Sequence, residues 1–165
     1  MKLITLILTL LLLSTTSITS QTEDECLDIS LKKKDIKNSE YCISELCYTV
    51  LNTSFEADSQ DLFQSQLAQL TILKWTEKSE FNFVLSQKMM DLCESDYRLI
   101  GIYIASMAKA AIELQSNHFQ EKAIGYFAEF IRNKALGVKQ TKRLKKFIAN
   151  YRAGEIEQYL EKDED

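Results

Sequence analysis

The chain has 165 residues, 20 basic and 24 acidic, for a net charge of −4, with four cysteines, one histidine and no proline. The mildly acidic balance argues against nucleic acid as a partner, because phosphate binding calls for a basic face. The length suits one domain that buries a core of its own.

The first twenty residues read as a leader. Lys2 supplies a short positive start, and Leu3, Ile4, Leu6, Ile7, Leu8 and Leu10 to Leu13 form an apolar run of roughly a dozen positions. Small polar residues follow from Ser14 to Ser20, and the next charge is Glu23. A membrane span needs about 20 apolar residues, so the run is too short to anchor the chain. The expected organisation is a signal peptide at 1–20, cleaved after Ser20, and one helical-bundle domain at 21–165. The terminal Glu161 to Asp165 is not a retention signal. The reading is a soluble, secreted, extracellular protein, with no membrane contact once the leader is gone.

All four cysteines, Cys26, Cys42, Cys47 and Cys93, follow the leader. An even count in an oxidising compartment predicts two disulfides. Cys42 and Cys47 sit five apart on different faces of one predicted helix, so they should not bridge each other. Two pairings stay open: Cys26–Cys42 with Cys47–Cys93, or Cys26–Cys47 with Cys42–Cys93. With no C-x-x-C spacing and His118 as the one imidazole, neither a structural zinc nor any other metal or cofactor is expected.

After a lead-in over Glu23 to Asn38, a first helix is predicted from Ser39 to Ser54. Ser39 is its expected cap, and Ile43, Leu46, Cys47, Val50 and Leu51 form one stripe. Asn52-Thr53-Ser54 is a glycosylation sequon, and at about 100° per residue Asn52 points away from that stripe. A second helix starts near Ser59 with Leu62, Phe63, Leu70 and Leu73 toward the core. Thr76 to Ser79 interrupts it, and Phe81, Val84 and Leu85 continue its apolar face. The third carries Cys93, Tyr97, Ile100, Ile104, Met107, Ala111 and Leu114, a seam of alternating four- and three-residue steps. Gly101 inside it marks a close helix contact. Ser116-Asn117-His118 is a turn. The fourth helix presents Phe119, Ala123, Ile124, Tyr126, Phe127, Phe130 and Ile131. A fifth segment has Leu144, Phe147, Ile148 and Tyr151, weakens at Gly154, and resumes with Ile156, Tyr159 and Leu160. Without strand signals, these elements predict an all-α fold: an up-and-down antiparallel four-helix bundle with an N-terminal helical, disulfide-closed extension.

Little chemistry is on offer. Any Ser/His or Cys/His machinery must run through His118, which lies in a polar turn where a surface histidine is the usual case. The acid pairs Asp24/Glu25 and Asp91/Glu94 read as solvated side chains rather than glycosidase carboxylates. No phosphate loop or calcium loop occurs, and no catalytic residue is assigned. Lys139, Lys142, Arg143, Lys145, Lys146 and Arg152, followed by Glu155, Glu157, Glu161, Asp163, Glu164 and Asp165, read as a solvated helix with charges of both signs. Tyr126, Phe127 and Phe130 are expected to fill the core. Tyr41 and Tyr48 are the candidates for an exposed interface.

The stretch Asp91-Leu92-Cys93-Glu94-Ser95-Asp96-Tyr97, followed by Ala105, Ala108, Ala111, Leu114 and then His118-Phe119-Gln120-Glu121-Lys122-Ala123, resembles the plant invertase and pectin methylesterase inhibitor family. So does Tyr41-Cys42-Ile43-Ser44-Glu45-Leu46 behind a leader and Cys26. The resemblance covers about two thirds of the chain and implies a four-helix bundle with a small N-terminal hairpin closed by Cys26–Cys42. Cys47 and Cys93 are then left to pair or stay free, and the pattern favoured is Cys26–Cys42 with Cys47–Cys93. It also implies the function: a secreted, apoplastic inhibitor, monomeric or weakly dimeric, that blocks a cell-wall carbohydrate-active enzyme by stoichiometric surface binding. The family's fourth cysteine, due near Asn133, is absent. Lacking proline, the chain has no Pro-Lys-Phe loop of the invertase-directed members, which favours pectin methylesterase over invertase as the partner. The alternatives are a carrier of a small hydrophobic ligand, with a cavity lined by Tyr126, Phe127, Ile104 and Met107, and a non-enzymatic structural or signalling protein.

Overall fold

The computed structural model describes residues 26, 27, 29, 31, 35–135 and 137–161. The expected leader at 1–20, with Asp24, Glu25, Asp163, Glu164 and Asp165, lies outside the described residues. Seven α-helices and no strand occur among them: α1 (Glu40–Asn52), α2 (Ser59–Thr76), α3 (Gln87–Cys93), α4 (Arg98–Leu114), α5 (Gln120–Asn133), α6 (Lys142–Ala153) and α7 (Ile156–Glu161). The all-α bundle expected from periodicity is formed. Short joints at 53–58 and 115–119 fold α1 onto α2 and α4 onto α5 as antiparallel hairpins. The four helices share one core, with α6 packed on α5 and α7 on α6.

α4 is the centre of this arrangement. It touches α1, α2, α3 and α5, and Leu99, Ile102, Tyr103, Ala105, Ser106, Met107, Ala108, Ala110 and Ala111 are all buried along it. Alanines make this possible, because a helix carrying only methyl groups lets its neighbours approach closely on several sides. The buried Ser106 hydroxyl donates to the Ile102 carbonyl one turn back (2.8 Å), so it brings no unpaired polar group into the core. At Gly101 a Cβ would collide with the Gln69 side chain of α2, the close contact expected there.

Helix ends are set by local chemistry. The Asp58 carboxylate accepts from the Gln60 and Asp61 N–H groups (3.0 Å each) and starts α2. Thr141 caps α6 by accepting from Leu144 N–H at 3.2 Å. Gly154, at φ +72°, ends α6 in the left-handed conformation, and Glu155 N–H bonds back to the Asn150 carbonyl. Ser39 does not cap α1 as expected. Its hydroxyl donates backward to the Ile36 carbonyl (2.6 Å), which also accepts from the Trp75 indole N–H at 3.4 Å. That carbonyl ties the lead-in to the end of α2. The Cys26–Cys42 disulfide ties it to α1, with a Cα–Cα distance of 5.0 Å.

Three sequence expectations are corrected. The seam through Cys93 is not one helix: the chain turns at 94–97, where the Asp96 carboxylate accepts from the Arg98 N–H (3.1 Å) and guanidinium, and α4 starts afresh. Tyr97 is accordingly exposed. Phe81, Val84 and Leu85 do not prolong the helical face of α2. Residues 81–84 alternate with period two, Phe81 and Phe83 packing their rings on Trp75 while Val84 points to solvent. Finally, the core face of α2 is Ser65, Ala68, Ile72 and Trp75, and not Phe63, Leu70 and Leu73, which are exposed. Small Ser65 and Ala68 bring α2 against α1 and α4, and that rotation encloses the large Trp75 ring.

Because the disulfide closes a 16-residue separation, replacing Cys26 and Cys42 by serine should cost roughly 3 kcal/mol. The loss would appear as a lower urea midpoint, with a slope that steepens as far as the freed unfolded chain expands. An unshifted midpoint would show that the lead-in contributes nothing to stability.

Candidate functional site

The residues with the most obvious chemistry are dispersed. His118 is exposed, its backbone N–H donating to the Ser116 hydroxyl at 3.1 Å. Asp91 accepts from Gln87 (2.7 Å) within α3, whereas Glu94 pairs with Arg143 of α6 at 3.3 Å. Among the described residues no three His, Cys, Asp or Glu side chains group as a metal site.

Cys47 and Cys93 are buried free thiols, which corrects the expected second disulfide. Cys47 packs beside Lys109 and Glu113 in the later half of α4, whereas Cys93 lies near Asp96 and Tyr103 at its start. Tyr103 and Lys109 alone are about 9 Å apart along the helix axis, and a disulfide needs Cα atoms within about 7 Å. Burial pushes both thiols up to about 12, so neither is a thiolate at neutral pH.

Tyr126, Phe127, Ile104 and Met107 do not converge on an internal cavity. Phe127 is enclosed edge-on between Tyr103 (5.3 Å) and Phe147 (5.8 Å), and Met107 is buried beside them in the core. Tyr126 and Phe130 instead reach a shallow hollow of about 330 Å³ shared with Tyr48, Asn52 and Lys109. On its rim the Tyr126 hydroxyl donates to Glu113, which also holds Lys109 (2.8 Å) and Lys122 (2.6 Å). Burial raises the Glu113 carboxyl, but hydrogen bonds from Lys109, Lys122 and Tyr126 outweigh it and hold the group down at about 2. Asn52, at the end of α1, is exposed, its amide donating to the Tyr48 carbonyl at 2.8 Å.

The feature with the clearest potential for recognition is the outer face of α2. Phe63 is 57% exposed, Leu70 55% and Leu73 40%. Phe63 and Leu70 are one heptad apart, so they lie on the same side of the helix about 10 Å from each other. Leu73 extends the strip by one turn. Tyr41 and Tyr48, equally a heptad apart on the neighbouring α1, are also exposed. Single exposed apolar residues are ordinary, but an aligned row of large ones marks an interaction surface. Its sequence signal is a second apolar stripe on α2, opposite the one containing the small residues.

Compared with known proteins, the chain matches no family model, no curated protein and no solved structure.

Two outcomes follow from the buried and clustered groups. A thiol reagent should label neither Cys47 nor Cys93 in the folded protein and both after unfolding in urea without reductant; fast labelling of the native state would mean that the α3–α4 packing opens. Glu113 contributes stability that is present above the unfolded carboxyl value of about 4.3 and is lost as pH falls toward about 2. Glu113→Gln should therefore flatten the acid limb of the stability profile over that window. An identical limb in wild type and variant would remove the cluster from the account.

Proposed function

We propose that the protein is secreted and acts as an inhibitor, forming a stoichiometric, reversible complex that covers the active site of a carbohydrate-active enzyme. The observation that carries this reading is the aligned apolar row Phe63, Leu70 and Leu73 on the outside of α2, with exposed tyrosines on the adjacent helix. Aromatic and apolar anchors of this kind dominate binding energy once a partner removes water from them. The short apolar run after Lys2 and the Cys26–Cys42 bond support an oxidising, extracellular setting. Asn52, exposed at the end of α1 within its sequon, is open to glycosylation there. The choice of target comes from the sequence resemblance: a cell-wall pectin methylesterase, with invertase second because the chain lacks proline.

The test is inhibition of purified pectin methylesterase and invertase by the oxidised chain beginning at Gln21. A stable complex should bury about 1,200–2,000 Å² in total. Phe63→Asp with Leu70→Asp should abolish it while leaving the helical circular dichroism and urea midpoint unchanged, since both side chains are outside the core. If both enzymes keep full activity in excess protein, the inhibitor reading fails. If inhibition survives the double substitution, the α2 row is not the docking surface.

A further inference from the structure

From Arg132 to Arg152 the chain holds eight basic residues, Arg132, Lys134, Lys139, Lys142, Arg143, Lys145, Lys146 and Arg152, and no acid between Glu129 and Glu155. Removing those eight from the twenty basic residues leaves twelve against twenty-four acids elsewhere, a balance of −12. The molecule is therefore strongly polarised, far more than its net charge of −4 suggests. Part of the excess is engaged elsewhere: Arg143 pairs with Glu94, and Lys146 lies over the Tyr159 ring.

Three of the others, Arg132, Lys145 and Arg152, line a groove between α5 and α6 of about 360 Å³. One wall carries Arg132 of α5, which pairs with Glu129 on its own helix. The other carries Lys145 and Arg152 of α6, both exposed and without an ion pair among the described residues. Lys145 and Arg152 are seven residues apart, so the two charges stand on one side of α6, about 10 Å from each other. The floor is apolar, formed by Ile131, Ala135 and Ile148. Among the described residues no acidic side chain lines the groove.

We propose that this α5–α6 groove binds an extended acidic peptide segment of a partner protein, its carboxylates on Arg132, Lys145 and Arg152 and one apolar side chain on the Ile131–Ile148 floor. Charge complementarity selects the acidic ligand, and the shape and floor select the peptide. An anionic membrane would call for large apolar side chains beside the cations, yet every large exposed hydrophobic residue among those described lies between Tyr41 and Leu114. An acidic polysaccharide has no apolar side chain for the floor. The groove is separate from the α2 row, since α6 packs on α5 and α7 while α2 packs on α1 and α4. The proposal accordingly stands or falls independently of the enzyme-inhibitor reading.

The probe is a fluorescent eight-residue peptide of alternating Asp and Glu with a central Leu, titrated with the oxidised full mature chain. Fluorescence anisotropy should show saturable binding that weakens at least about tenfold when ionic strength rises from roughly 0.05 to 0.5 M, as screening of exposed charges requires. Lys145→Glu with Arg152→Glu should weaken it by about tenfold or more, and Arg152→Lys should largely preserve it. Phe63→Asp should leave it unchanged, which separates this groove from the α2 row. Replacing the central Leu of the peptide by Ser should weaken binding through the floor. Lys145→Gln with Arg152→Gln provides a milder second variant that must also weaken binding. No binding at low ionic strength, equal binding by the charge-reversed variant, or binding of polyuronate or anionic phosphatidylserine vesicles in place of the peptide would overturn the proposal.

Discussion

How closely three helices can approach α4 decides most of this structure. A helix with alanine at 105, 108, 110 and 111 and glycine at 101 has little side-chain bulk to hold its neighbours away. α1, α2 and α5 therefore all pack against it, and large side chains of these partners fill the core together with Leu99, Ile102 and Met107 of α4 itself. Packing at interior density rewards this division of labour, because methyl-lined surfaces leave room for Trp75, Phe127 and Leu46 to interdigitate. The same crowding explains why Cys47 and Cys93 remain separate thiols. Cys47 of α1 faces the later half of α4, and Cys93, at the end of α3, faces its start.

The rest of the described chain is fastened to that centre by a few specific contacts. The Ile36 carbonyl accepts from Ser39 and Trp75, and the Cys26–Cys42 bond holds the lead-in against α1. On the opposite side a ladder of rings runs from Tyr103 through Phe127 and Phe147 to Tyr159, joining α4, α5, α6 and α7 in succession. Edge-on pairs of this kind add roughly 0.5–1.5 kcal/mol each beyond the area they bury. α6 and α7, whose outer surfaces are highly charged, are held by this ladder together with the buried Leu144 and Ile156 and the partly buried Ile148, Tyr151 and Leu160.

Two surfaces of opposite character are present. The outer row of α2 is apolar, with the exposed Lys74 beside Leu70 and Leu73, whereas the α5–α6 groove is lined by cations over an apolar floor. A partner engaging both would need a hydrophobic patch and an acidic segment, a combination that gives affinity through one site and orientation through the other.

Most of the helices were legible in the chain itself, although Cys93 to Leu114 reads as one helix where the structure breaks it at 94–97. Periodicity placed α1, α5 and α6, Gly154 marked the break before α7, and the outward direction of Asn52 followed from its angle to the α1 stripe. These features depend on local chemistry: spacing, caps and a left-handed glycine. The choice between the two apolar stripes of α2 was not local. Phe63, Leu70 and Leu73 are as hydrophobic as a core face should be, and only the presence of α1 and α4 against Ser65 and Ala68 turned them outward. The fate of Cys47 and Cys93 was hidden for the same reason, whereas the turn at Asp96 is local and was masked by the helical apolar spacing that runs through it. Sequence determined which segments become helices and which faces are apolar. Tertiary packing decided which apolar face is buried, because burial depends on how closely backbones approach, and that distance is a property of pairs of helices.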